Sequence, residues 1–335
     1  YDRASEHLIE ATDKDHGPSS FAKNVVSSIE EAPNGEILLG SWNGLYIFDP
    51  TTREYRQFAP TEVGENGLSG LAIFDLVSDR ANKVIWFATS KGLKRMDWHS
   101  KQILNFIPDP DNPDSISNNA LKTIALDQQG DVWVGADNGL YRFNPGTQTF
   151  NHYVNNPAAA NSLSDNIVRH ITVGKNGWVW VGCQGGLNLF NRENNSFIRF
   201  LHDEGQPFSI SSSITRRVYE DNNGDIWVGT YPSGVNFYDR TSDAMRVLKP
   251  HTDLNRGLLN KTVEAISEDQ QGRLWIGAGG MTRYDLNSDT YVHYRNTGQN
   301  PGIATTEPIN AHTDSAGDIW VGSWLNSFYR YNAPA

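Results

Sequence analysis

Apolar and polar positions alternate along this chain in short runs, and the runs recur in the same order. The stretch 120–154 shows one cycle: apolar-rich runs at Ala120 to Leu126, Val132 to Ala136, Leu140 to Asn144 and Phe150 to Val154. They are separated by Gln128-Gln129-Gly130, Asp137-Asn138-Gly139 and Pro145-Gly146. Short runs bounded by Gly, Pro, Asn and Asp predict β-strands joined by tight turns. No window sustains apolar spacing of 3.6 residues, so no substantial helix is predicted.

The cycle repeats through the whole chain. Its signature, Gly-x-Ile/Val-Trp-Val-Gly, stands at Gly130 to Gly135, Gly177 to Gly182, Gly224 to Gly229, Gly272 to Gly277 and Gly317 to Gly322, with weaker copies at Gly35 to Gly40 and Lys83 to Ala88. The last positions, 40, 88, 135, 182, 229, 277 and 322, are separated by 48, 47, 47, 47, 48 and 45 residues. Seven units of this length, each with four strands, are the arithmetic of propeller blades. The fold predicted is all-β, a seven-bladed β-propeller occupying residues 1–335 as one domain. Tyr1-Asp2-Arg3-Ala4-Ser5 reads like Tyr238-Asp239-Arg240-Thr241-Ser242, and the chain stops at the same point of the cycle. His7–Ala11 is therefore expected to supply the outer strand of the last blade and so close the ring, which leaves no unpaired seam.

Charge and composition narrow the function. The 335 residues carry 28 Lys and Arg against 39 Asp and Glu, a formal net charge of −11. Such a body repels polyanions, so binding to nucleic acid or to an anionic membrane surface is not expected. A single cysteine, Cys183, excludes an internal disulfide and a cysteine-based zinc site. No run reaches the roughly 18 apolar residues of a membrane span. The opening residues lack an initiator Met and a signal-peptide pattern, so the chain reads as a piece of a longer protein.

The unit Asp-x-x-Gly-x-Ile-Trp-Val-Gly-Thr resembles the two-component regulator propeller repeat, best at Glu220 to Thr230 and in the loops Asn161 to Asn166 and Pro113 to Asn119. The resemblance runs through all seven units. It implies a periplasmic sensor domain of a bacterial membrane signalling protein, partnered in the same chain by a histidine kinase or a diguanylate cyclase. A small molecule or oligosaccharide is the implied ligand, and a homodimer is compatible with it. No cofactor, metal or catalytic residue is implied.

The repeat residues themselves point to packing. Trp86, Trp133, Trp180, Trp227, Trp275 and Trp320 share one position of the second strand and are expected to fill the space between blades. Asp221-Asn222-Asn223-Gly224-Asp225 imitates a calcium loop but lacks its terminal Glu, so it reads as a hairpin turn. Asp109 to Asp114 reads as a solvated surface loop. No Gly-x-Ser-x-Gly or His-Glu-x-x-His occurs.

Variation between blades marks the candidate site. Two positions after the final Gly, the second-to-third turn carries Trp42, Ser90, Asp137, Gln184, Tyr231, Gly279 and Trp324 in blade order. A packing position would repeat. Early in the first strand the matched residues are Ser27, Phe74, Lys122, Arg169, Arg216, Glu264 and Asn310, so three successive blades carry a cation, with Arg217 one step on. Guanidinium and ammonium groups gathered in an acidic protein suit a carboxylate, sulfate or phosphate. Trp42 and Trp324 are expected to lie side by side and, with Tyr231, to suit a sugar ring. The competing reading is an enzyme, a lactone-opening lyase or glycan hydrolase, for which Asp75, Asp137 and Glu264 are the available acids. A plain interaction scaffold is the third.

Overall fold

The computed structural model describes residues 8–10, 25–52, 54–58, 67–112, 114–206, 208–239, 244–253, 256–295, 307–324 and 328–331. Among them, 28 strands form seven four-stranded antiparallel sheets, with no α-helix. These are the seven blades. Their first strands are Val26–Glu31, Ile73–Asp79, Leu121–Leu126, Val168–Val173, Ile214–Glu220, Ala265–Glu268 and Pro308–Thr313. In the third blade the strands Leu121–Leu126, Val132–Ala136, Gly139–Asn144 and Thr149–Tyr153 follow the predicted runs to within a residue. Leu8–Glu10 pairs antiparallel with Phe328–Tyr331, in the sheet that holds Trp320. His7 and Ala11 lie outside the described residues.

The blades group into two compact units, residues 74–248 and residues 1–73 with 249–335. Within each, the repeat motif has a packing reason. Second strands are buried along almost their whole length and third strands along most of it, as sheets covered on both faces must be. The motif's final glycine lets the next first strand approach: a Cβ at Gly135 would fall 2.5 Å from Val168 Cγ1, and one at Gly322 would fall 2.8 Å from the Val26 carbonyl oxygen. Only a residue without a side chain fits there.

In four blades the repeat tryptophan is anchored by an aspartate six residues before it. Trp133 Nε1 donates to Asp127 Oδ2 at 2.6 Å, Trp227 to Asp221 at 2.8 Å, Trp275 to Asp269 at 3.0 Å and Trp320 to Asp314 at 2.7 Å. The other carboxylate oxygen, Oδ1, accepts backbone amides of the hairpin, as Asp221 does from Asn223 and Asp225 at 2.9 Å each. The calcium-like segment therefore acts as a turn whose acid clasps the core. A second acid feeds a neighbouring layer: Arg142 Nε donates to Asp131 Oδ2 at 2.7 Å while its guanidinium lies 5.6 Å from the centre of the Trp133 ring. The Arg330, Asp318 and Trp320 trio repeats this in the last blade.

Candidate functional site

In five blades the pairing of first and second strands slips by one residue near the start of the first strand. The slips fall between Val26 and Ser28, Leu121 and Thr123, Val168 and His170, Thr215 and Arg217, and Pro308 and Asn310. The residues at the slips, which the register skips, are Ser27, Lys122, Arg169, Arg216 and Ile309. A bulge releases one residue from the ladder and re-aims its side chain. Three of the five are the predicted cations. In the last blade the matched residue is Ile309, not Asn310, because Asn310 stands opposite Gly322 just as His170 stands opposite Gly182. A bulge shifts the count by one, and spacing alone does not reveal it.

Within residues 74–248 each bulge cation meets the variable turn residue of its own blade. Lys122 Nζ lies 3.5 Å from Asp137 Oδ2, with the two side chains 33% and 52% exposed, and 5.2 Å from the Phe74 ring centre. Exposure of both partners keeps such a pair weak. Arg169 Nη2 donates to Gln184 Oε1 at 2.7 Å, while its Nε is buried with no hydrogen-bond partner among the described residues. The Arg216 guanidinium stands 5.4 Å from the centre of the half-exposed Tyr231 ring. The three first strands pack side by side, third on fourth and fourth on fifth. The cations thus share one end of three adjoining strands.

Arg217 is placed differently. Its charge acts on His170 of the preceding blade, which also accepts from the Val218 amide through Nδ1 at 3.3 Å. Desolvation, with the Arg217 charge added, holds His170 well below the ordinary histidine pKa of 6.5.

In the other unit, Trp42 and Trp324 remain 49% and 43% exposed and meet edge to face, ring centres 5.4 Å apart at 85°. The expected adjacency holds, and neither ring is enclosed. Leu325 and Asn326 of that turn lie outside the described residues.

Two of the three acids of the enzymatic reading have partners. Asp75 accepts from the amides of Leu76 and Ile124, one on each oxygen, both at 2.9 Å. Asp137 faces Lys122. Sequence reasoning missed the bulge as the device that presents the cations. It also missed Gly174, which stands where four other blades carry the clasping aspartate.

The two component regulator propeller repeat matches residues 209–231 and 257–280, the first of which contains Arg216, Arg217 and Tyr231. No sequence among the curated proteins matches this chain. Two solved structures similar to it are extracellular domains of proteins assigned as hybrid two component systems in B. thetaiotaomicron. One is 22% identical with a TM-score of 0.78 and the other 20% identical with a TM-score of 0.76, over 98% and 97% of this chain. The chain spans 42% and 40% of those two. Virginiamycin B lyase of Staphylococcus aureus is also similar, at 15% identity and a TM-score of 0.67, over 93% of this chain and 95% of the lyase. At these identities the likeness establishes the β-propeller fold, with the regulator propeller repeat inside it.

Proposed function

We propose that this propeller is a non-catalytic, extracytoplasmic sensor module of a bacterial signalling protein, and that it binds an anionic saccharide. The observation that carries the ligand reading is the row of bulge cations on three adjoining strands, each facing a different turn residue. The planar guanidinium fork is suited to a carboxylate or sulfate oxygen. Tyr231 in one unit, and the Trp42–Trp324 pair in the other, each offer an aromatic face of the kind sugar rings stack on. The sensor reading is supported by the regulator propeller repeat and by the likeness to extracellular domains of two component systems. Such a module signals only if the ligand prefers one of two arrangements of the full protein.

The lyase likeness supports only the fold, and the use of Asp75 on backbone amides argues against a free catalytic acid at that position. The test is incubation with anionic and neutral oligosaccharides, with binding followed by calorimetry and products by mass spectrometry. Saturable binding of an anionic member with its mass unchanged is the expected result. A cleaved or opened product would overturn the non-catalytic reading.

A further inference from the structure

The fourth blade lacks the polar cap that covers the repeat tryptophan in blades three and seven, and a cavity opens beside its tryptophan. In those two blades the cap has three members: an aspartate on the indole N–H, a second aspartate two residues before the tryptophan, and an arginine opposite it in the ladder. The arginine pairs with the second aspartate and lies over the ring. The matched residues of blade four are Gly174, Trp178 and Leu189, the last opposite Trp180. The cavity measures about 570 Å³, inside the size range of small-molecule sites. Trp178, Leu189 and Phe200 wall it from blade four, and Ile226 and Val228 from blade five. Phe208, on the loop between the two blades, also lines it and is 73% exposed, while Trp178 is 43% exposed, so its open edge is aromatic.

The one acid among the lining residues, Glu220, is committed to the hairpin of blade four. Its Oε1 accepts from the Lys175 amide at 2.9 Å, and its Oε2 is buried against Gly174, where a Cβ would collide with it. A charged molecule drawn into the cavity would thus exchange its hydration for apolar walls, and a saccharide would lose its hydroxyl hydrogen bonds there. Aromatic surface left bare at the edge of such a space gains by being covered. A flat ring covers it best, offset on an indole or edge to face with it, as Trp178 and Trp180 already stand at 63° with ring centres 6.2 Å apart. We propose that the cleft between blades four and five binds an uncharged, flat aromatic molecule, its rings against Trp178 and Phe208. The site shares no residue with the bulge cations and does not depend on the ligand assigned to them.

Calorimetric titration of the chain at neutral pH with 2-naphthol, 2-naphthoate and 2-naphthylmethylamine, which are uncharged, anionic and cationic there, tests it. The naphthol is expected to bind saturably and both charged analogues about tenfold or more weakly. Trp178→Asp combined with Leu189→Arg installs the acid and base of blade three over Trp180 and is expected to abolish binding. Phe208→Ala, at an exposed position where folding is not at stake, is expected to weaken the naphthol about fivefold or more without changing the melting temperature. The proposal is overturned if 2-naphthol gives no saturable heat up to about 2 mM, if either charged analogue binds as tightly, or if Phe208→Ala leaves the affinity unchanged. It is equally overturned if a folded double variant binds like the parent.

Discussion

The Trp227 indole N–H donates to Asp221 Oδ2 across 2.8 Å, and both side chains are buried. One hydrogen bond thus joins the first hairpin of blade five to the layer between blades. Trp227→Ala removes a fully enclosed ring and is expected to cost about 3–5 kcal/mol. Trp227→Phe keeps most of the volume but leaves the carboxylate oxygen without its donor, a cost of about 1–3 kcal/mol. Urea unfolding measures both, and equal midpoints for Trp227→Phe and the parent would refute the clasp.

The two exposed tryptophans behave otherwise. Trp42 contributes an edge-to-face contact with Trp324, which is worth about 1 kcal/mol. Trp42→Ala, at a half-exposed position, is expected to lower stability by less than Trp320→Ala, which, in the same unit and fully buried, costs about 3–5 kcal/mol. Comparable losses in the two variants would place Trp42 in the core.

His170 sets a pH dependence. Its folded pKa lies below the unfolded value of 6.5, so below that pH the unfolded chain binds a proton that the folded chain resists. The stability tied to neutral His170 is therefore present above about pH 6.5 and is lost as pH falls through and below it. His170→Gln is expected to flatten the decline in denaturation midpoint between pH 7 and pH 5. A parallel decline in parent and variant would show that other groups govern it.

Blade number and strand limits were legible because the tryptophan, the flanking glycines and the turn residues recur at nearly constant spacing, each for a packing reason seen at Gly135 and Trp133. The candidate site was legible only in outline. Lys122, Arg169 and Arg216 stood out as cations at matched positions, but the bulge that frees them leaves no mark on spacing, which is why Asn310 was matched where Ile309 belongs. Arg217, one step on, stands opposite Gly229 in the ladder and not in the bulge. The contact at Gly174 depends on a residue of the next blade, Glu220, filling the vacated space, and contacts between units of a repeat do not show in the pattern of one unit.

The central claim is that the bulge cations hold an anionic ligand. Its most direct test is the affinity of trigalacturonate for the parent and for Arg169→Ala, measured by calorimetry at about 50 mM and about 500 mM salt. The account predicts saturable binding that weakens at the higher salt, where exposed charge attraction is screened, and a loss of about tenfold or more in the variant. Affinity that is unchanged by both salt and the substitution, or absent at both salt concentrations, would contradict it.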